Sequence, residues 1–206
     1  MPPRAYTQHV RAETATQTRR RILDAVYDRL RKAPAERVTV DGVARFAGVS
    51  RATVYLVFGD RSGMFDAIGS DLLERSGFSE VMRAVEEPEP RVALEQFFHA
   101  TTQLYACNQD VLRSLFAMAQ LDPTALGGAI ERMEDGRNRG MQLLAQRLAD
   151  EGLLRDGSDT ARAADLLWLL SSFSSFDLLA TVRGRTPEDI AHMYLATQTH
   201  AVLRLW

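Results

Sequence analysis

The sequence is poor in the residues that build disulfide frameworks and metal sites. Its 206 residues include a single cysteine, Cys107, and four histidines. One cysteine cannot form an internal disulfide bond, and the histidines do not combine with it at the spacings of a Cys/His zinc site. No nucleophile and base or paired acid and base stand at a useful spacing either. We therefore expect no metal, no cofactor and no enzymatic activity.

Long uncharged apolar runs are also missing. The most apolar segment, residues 163–182, is interrupted by Asp165 and Asp177, which leave only eleven uncharged residues between them. Such a stretch is too short to span a bilayer. The first 25 residues contain five arginines and no apolar run, so they do not resemble a signal peptide. These observations predict a cytoplasmic protein with no membrane association.

The formal net charge of −2 conceals two regions of opposite sign. Residues 1–69 contain 12 Arg and Lys against 7 Asp and Glu, a net charge of +5. Residues 70–206 contain 13 against 20, a net charge of −7. An asymmetry of this kind favours a small basic domain that meets a polyanion, joined to a larger acidic domain with another role.

Apolar residues recur at helical rather than strand spacing along almost the whole chain. Ile22, Val26 and Leu30 form one such stripe, and Thr39, Ser50 and Asp60 are suitable N-caps for three further helices. The pattern predicts helices over about 17–33, 40–47, 51–57, 61–72, 90–105, 109–120, 122–151, 159–183 and 187–205, with Pro90 suited to the first turn of its helix. No strand or repeat is recognisable, so the predicted fold class is all-α.

Residues 40–59, VDGVARFAGVSRATVYLVFG, have the pattern of two short helices joined by a tight turn. Gly48 stands where the turn requires a positive φ, and Ala44 is small where the second helix must approach the first. The inward positions are apolar, and the outward positions of the second helix are Arg51, Ala52, Thr53, Tyr55 and Leu56. These side chains suit contacts with base edges and phosphates in a major groove, so we interpret the segment as a helix-turn-helix preceded by a basic N-terminal arm. The alternative is an ordinary corner between two helices.

Four motifs in this region resemble the N-terminal domain of the TetR family of bacterial transcriptional regulators. They are Ile22-Leu23-x-Ala25, the run from Thr39 to Ser50, Thr53-Val54-Tyr55-x-x-Phe58, and Asp60-Arg61. The resemblance implies a three-helix DNA-binding domain over residues 1–69, with Thr39, Arg51, Thr53, Tyr55 and Arg61 as phosphate or base contacts. It also implies a helical ligand-binding and dimerisation domain over residues 70–206, and a homodimer bound to double-stranded operator DNA. Three positions depart from the family pattern. Val57 stands where the family more often has His or Tyr, and Arg61 stands where it more often has Lys. Gly42 lies inside the second helix, where a better helix former is expected.

The segment from residue 163 to residue 182 is apolar on more faces than one core contact requires. A helix that is apolar all round must be buried on both sides, and a second copy of the chain is one way to bury it. The alternative is the central helix of a monomeric bundle. The residues predicted to form the dimer interface are Leu166, Leu169, Leu170, Phe173, Ile190, Tyr194, Thr197, Ala201 and Leu205.

Large apolar and aromatic side chains in the acidic region form a candidate pocket for an unknown small-molecule effector. Side chains of these types more often belong to a hydrophobic core than to a pocket. If a ligand binds there, this lining favours an apolar or aromatic compound, and a buried Asp177 would suit a cationic one. The candidate residues are Thr101, Tyr105, Phe116, Met133, Met141, Trp168, Ser172, Phe176 and Asp177.

The leading functional prediction is a ligand-responsive transcriptional repressor that binds a palindromic operator as a homodimer. A helix-turn-helix DNA-binding protein without a small-molecule inducer is the first alternative. A small all-α enzyme or scaffold with a fortuitous helical corner is the second.

Overall fold

The computed structural model describes residues 4–32, 38–75, 77–121, 126 and 128–204, with the side chains described from residue 13 onward. Apart from a single isolated bridge between Leu154 and Leu203, these residues form helices and turns, so the all-α prediction is confirmed. The helices are α1 (Arg4–Lys32), α2 (Val40–Ala47), α3 (Arg51–Phe58), α4 (Arg61–Arg75), α5 (Phe78–Glu86), α6 (Pro90–Leu121), α7 (Ala129–Asp150), α8 (Thr160–Leu170), α9 (Phe173–Arg183) and α10 (Pro187–Val202).

The chain divides into two compact units. Unit 1 contains residues 1–71 and 113–130, and unit 2 contains residues 72–112 and 131–206. The segment 113–130 groups with unit 1 although it lies far along the sequence from residue 71, and the functional division after residue 69 stays a prediction. Ser114 illustrates the contact, because its hydroxyl donates to the Leu30 carbonyl at 2.9 Å.

The core of unit 1 is built on the stripe expected for the first helix. Ile22, Val26 and Leu30 are at most 1% exposed, and Phe65 and Ile68 of α4 are buried equally deeply. The buried Tyr27 hydroxyl donates to the Ile68 carbonyl at 3.3 Å, which ties α1 to α4. Burial of such side chains contributes about 1.5–3 kcal/mol each.

Unit 2 is held together by large apolar side chains and by one arginine at a chain connection. The core includes Leu94, Phe98, Leu144 and Phe176. The Arg147 guanidinium donates to three backbone carbonyls of the α5–α6 connection, those of Val85, Glu87 and Pro88. Those carbonyls have no helical partner of their own, so the arginine fixes the turn into α6.

Several helix boundaries differ from the sequence-based predictions. The first helix begins at Arg4 rather than near residue 17, because a polar helical segment gives no apolar periodicity to detect. Segments 90–105 and 109–120 are one helix, α6, which begins at Pro90 as predicted. The apolar segment 159–183 is broken in two, because Ser172 accepts a hydrogen bond from the Ser175 amide and caps α9. Residues 122 and 123, expected to open the next helix, lie outside the described residues.

The structure also bears on membrane insertion. No single helix in the described ranges is both long and apolar enough to cross a bilayer, although the pair α8 and α9, bent by 45°, meets the length and composition criteria together.

Candidate nucleic-acid interface

The turn between α2 and α3 has the geometry that the sequence predicts. Gly48 ends α2 in the left-handed region at φ 62°, and the Val49 amide donates to the Ala44 carbonyl at 3.0 Å. Ser50 then caps α3 by accepting a hydrogen bond from the Thr53 amide at 3.0 Å. Because both helix ends are capped, the orientation of α3 relative to α2 is fixed by local hydrogen bonds.

The outer face of α3 is open to solvent. Leu56 is 87% exposed and Tyr55 is 37% exposed, while Val54 and Phe58 on the inner face are buried. Ala52 is exposed as well. An apolar side chain as exposed as Leu56 gains nothing in the isolated chain, and it suits contact with a thymine methyl group or a sugar.

Arg51 and Tyr55 form a pair one helical turn apart on this face. The Arg51 guanidinium donates to the Tyr55 hydroxyl at 3.1 Å and lies 5.5 Å from the centre of its ring. Asp41 of α2 is 3.4 Å from the same guanidinium. The hydrogen bond to Tyr55 and the charge of Asp41 raise the pKa of Arg51 above its ordinary value, so the side chain stays cationic. The pair therefore presents a positive charge beside a hydroxyl group, and both groups can form hydrogen bonds with DNA.

Three other predicted contacts already have structural partners. The Thr39 hydroxyl caps α2 by accepting from the Gly42 amide at 3.1 Å. The Thr53 hydroxyl lies 2.8 Å from that of Ser50. Arg61 donates to the Val38 carbonyl at 3.2 and 3.3 Å, so its guanidinium also holds the segment that enters α2.

Two features of this region were missed by sequence reasoning. Phe46 is 62% exposed on α2, with the Arg29 guanidinium 5.9 Å from its ring centre. The sequence feature that could have indicated Phe46 is an aromatic residue at an outward position of the helix. Gly63 is required by close approach, because a Cβ there would lie 2.2 Å from the Phe58 carbonyl oxygen at the end of α3. No sequence pattern reveals that contact.

In unit 2, two of the aromatic residues predicted to line a pocket, Tyr105 and Phe176, pack together with Phe173, which was predicted for the dimer interface. The Tyr105 ring centre is 5.5 Å from that of Phe173 and 5.6 Å from that of Phe176. Burial raises the pKa of Tyr105, whose hydroxyl donates to the Ser171 carbonyl at 2.8 Å. These side chains form a closed core cluster with its polar atom satisfied.

The remaining candidates are scattered. Asp177 accepts a hydrogen bond from Gln109 at 2.7 Å, and Trp168 is 42% exposed with the Arg137 guanidinium 5.1 Å from its ring. Met141 is buried, Met133 and Ser172 are half-buried, and Phe116 belongs to unit 1 whereas the others belong to unit 2. The structure thus does not gather all nine candidates into one pocket.

An open groove of about 540 Å³ lies elsewhere in unit 2, on α5 and α6. None of the nine predicted residues lines it. Its walls are formed by Gly77, Glu80, Arg83, Ala84, Gln96, His99, Ala100, Gln103, Leu104 and Cys107.

Three buried polar side chains of unit 2 have no hydrogen-bond partner within the part of the chain that the structure describes. They are the hydroxyls of Thr101 and Tyr194 and the amide of Gln198, which is 0% exposed. Burial raises the pKa of Tyr194, which therefore remains a neutral donor. Each buried unsatisfied polar group costs about 1–3 kcal/mol, so these positions are suited to a bound polar group or a buried water.

The residues predicted for the dimer interface fall into two groups. Phe173, Ile190 and Tyr194 are at most 4% exposed and already packed inside the chain. Leu169 is 55% exposed, Thr197 is exposed, and Leu166, Leu170 and Ala201 are half-buried. Leu205 lies outside the described residues. Further exposed apolar side chains on α8, α9 and α10 are those of Trp168, Leu178, Val182 and Met193.

Comparison with known proteins identifies the N-terminal region. Residues 22–68, which contain the capped turn and α3, match the sequence profile of bacterial regulatory proteins of the tetR family. The N-terminal region is therefore similar to the DNA-binding domain of TetR-family regulators. It is 34% identical over 82 residues to the nucleoid occlusion factor SlmA of Marinobacter nauticus, an alignment that covers 39% of this chain and 42% of that protein.

The fold extends the likeness to solved structures over nearly the full length of the chain. The structure of NalD, the secondary repressor of the MexAB-OprM multidrug efflux pump in Pseudomonas aeruginosa, aligns with 94% of this chain and all of its own at 23% identity, TM-score 0.71. The complex of SmeT with triclosan aligns with 91% of this chain and 92% of its own at 18% identity, TM-score 0.68. SmeT is the repressor of a Stenotrophomonas maltophilia efflux pump. At these identities, the two likenesses establish the fold.

Proposed function

We propose that this protein is a transcriptional repressor of the TetR family that binds a palindromic operator as a homodimer and is released by a small effector. The observation that carries the DNA-binding step is the outer face of α3. There, Arg51, Tyr55 and Leu56 project from a helix whose position is fixed by the caps at Gly48 and Ser50. The basic charge of residues 1–69 supplies the electrostatic attraction to DNA.

A homodimer supplies the second recognition helix. Paired helix-turn-helix units read half-sites about 34–36 Å apart, so the operator repeats with the symmetry of the protein. Exposed apolar residues on α8, α9 and α10 support a self-association surface in unit 2, since Leu169, Leu178 and Val182 are each more than half exposed. A monomeric soluble domain rarely leaves so many large apolar side chains exposed on neighbouring helices.

Effector binding is supported by the unpartnered polar atoms of Thr101, Tyr194 and Gln198 in the largely apolar interior of unit 2. A ligand with an apolar or aromatic body and one hydrogen-bonding group would satisfy such atoms and match their surroundings. The SmeT–triclosan complex shows a small molecule bound by a protein of this fold. The two recognition helices of the dimer must be separated by the distance between the half-sites. An effector that binds preferentially to a conformation with another separation lowers operator affinity.

The test is duplex binding by the purified protein over a series of salt concentrations. Arg51→Ala should relax sequence preference at one base position, and Tyr55→Ala should weaken binding to all sequences. Arg83→Ala, which removes an exposed arginine of unit 2, is the matched control and should leave binding unchanged. No measurable affinity for any duplex, or affinity independent of salt, would overturn the DNA-binding proposal.

The operator is identified first, and the effector is then sought with the operator in hand. Genomic fragments captured by the protein and sequenced should share an inverted repeat, and its position relative to a promoter tests repression. Triclosan and other small aromatic compounds are added to the protein–operator complex. Release at concentrations that also raise the thermal midpoint supports an effector, whereas operator binding that no compound in such a panel alters favours the alternative without an inducer.

A further inference from the structure

Within unit 2, helices α6 and α10 contact each other through pairs of side chains. Phe98 and Tyr194 form a buried pair whose ring centres are 5.6 Å apart. Nearer the surface, the Gln103 amide donates to the Glu188 carboxylate at 2.6 Å. The two helices run in opposite directions, because the higher residue number on α6 meets the lower one on α10. Side chains one helical turn from Gln103 and from Glu188 are therefore brought together as well.

The side chains that meet at that level are two histidines, His99 of α6 and His192 of α10. Their ring centres are 5.2 Å apart and their planes are at 87° to each other. His99 is half-buried and lines the open groove on α5 and α6, whereas His192 is exposed. Within the part of the chain that the structure describes, no ring nitrogen of either histidine has a hydrogen-bond partner. Both imidazoles therefore have nitrogens available to a ligand.

The separation of the two rings matches that of two histidines that share a metal ion. In a tetrahedral site with Zn–N distances of about 2.0–2.1 Å, two imidazole rings bound to one ion have their centres about 5 Å apart. Neutral imidazole is a ligand that suits zinc, nickel and copper. Because His192 is exposed, its ring can turn about its side-chain bonds to direct a nitrogen at an ion that arrives from solvent.

The protein supplies only part of the coordination sphere. In the described ranges, no group of three or more His, Cys, Asp and Glu side chains is arranged to hold a metal ion. Glu188, one turn before His192, is engaged by Gln103. We propose that His99 and His192 together bind one divalent transition-metal ion, such as Zn²⁺ or Ni²⁺, between α6 and α10, with water in the remaining positions.

Sequence spacing could not reveal this pair. The expectation of no metal rests on distances along the chain, whereas His99 and His192 lie on two helices that only folding brings together. An ion held by both helices binds the folded chain and not a chain in which the two imidazoles are apart, so it stabilises unit 2. The competing explanation is a ring contact alone, in which an imidazole N–H lies over the face of the other ring.

The test is calorimetric titration of the untagged, full-length protein with ZnCl₂ and, separately, with NiCl₂. The wild type should bind one ion per chain at this site. His99→Gln and His192→Gln should each lower the affinity by more than about tenfold, the loss that removal of even an outer partner of a metal ligand can cause. Because the ion needs both imidazoles, the double variant should lose little more affinity than either single variant.

Two control variants separate this pair from other metal ligands. His200→Gln removes another exposed histidine of α10, and Cys107→Ser removes the exposed thiol of α6; both should bind as the wild type does. Excess Zn²⁺ should raise the thermal midpoint of the wild type and of both controls, but not that of His99→Gln or His192→Gln. Circular dichroism establishes that each variant is folded, and His192 is exposed, so its replacement leaves the core intact.

Two results would overturn the metal site. One is wild-type affinity in His99→Gln or His192→Gln, and the other is the absence of stoichiometric binding by the wild type. Either result would leave a ring contact as the explanation of the pair. None of these measurements contains DNA, so their outcome is independent of the proposed function.

Discussion

Replacement of Gly63 by alanine is the most informative single perturbation of the candidate interface. The added Cβ would lie 2.2 Å from the Phe58 carbonyl oxygen, and Cβ atoms in proteins essentially never lie within 3.0 Å of a non-bonded heavy atom outside their own local backbone. The obstacle is backbone, so α3 and α4 must separate by roughly 1 Å at this corner to accept the methyl group. Forced expansion of a packed contact costs about 1–3 kcal/mol, more than the gain of up to about 1 kcal/mol in helix propensity.

Gly69→Ala is the matched control in the same helix, because the nearest atom to its added Cβ is the Ala129 methyl at 4.0 Å. Urea denaturation should show Gly63→Ala less stable than the wild type and Gly69→Ala equally or more stable. Because Phe58 ends α3, Gly63→Ala should also weaken operator binding beyond any loss of folded protein. Equal stability of the two variants would refute the steric argument.

Three further substitutions test other parts of the structure. Gln198→Leu should raise the thermal midpoint, because it removes two buried polar atoms whose lack of partners costs about 1–3 kcal/mol each, and a lowered midpoint would indicate a bound water or ligand that satisfies them. Gly48→Ala should lower the free energy of unfolding by about 1–2 kcal/mol in denaturant titrations, since L side chains are strained at φ 62°; no loss would contradict the observed turn. Arg147→Ala should destabilise the protein by about 2–3 kcal/mol through loss of charged hydrogen bonds to three carbonyls, whereas exposed Arg139→Ala should change the midpoint little.

Local signals in the sequence were sufficient for much of the DNA-binding domain. The caps at Thr39, Ser50 and Asp60 and the left-handed Gly48 all occur where their residue types predict them. Each depends on side-chain and backbone hydrogen bonds within four residues, so the information lies in a short stretch of sequence. The capping box formed by Thr186 and Asp189 was predictable for the same reason.

Residue type did not determine which side chains face solvent in unit 2. Ile190 and Leu169 are both aliphatic, yet the first is fully buried within the chain and the second is more than half exposed. In a segment that is apolar on all sides, periodicity cannot distinguish the face that packs against the same chain from the face left open. The ligand-binding residues stay a prediction for a related reason, because convergence of distant helices is not encoded in any one of them.

By itself, the sequence determined that this protein is helical, that its N-terminal region carries a capped helix-turn-helix, and that positive charge is concentrated there. Tertiary structure alone decided that residues 113–130 join unit 1, that Arg61 holds the Val38 carbonyl, and that Gly63 must lack a side chain. The two sets of features differ in how far apart along the chain the interacting residues lie. Caps, turns and charge depend on neighbours in the chain, whereas close approach and burial depend on residues that only folding brings together.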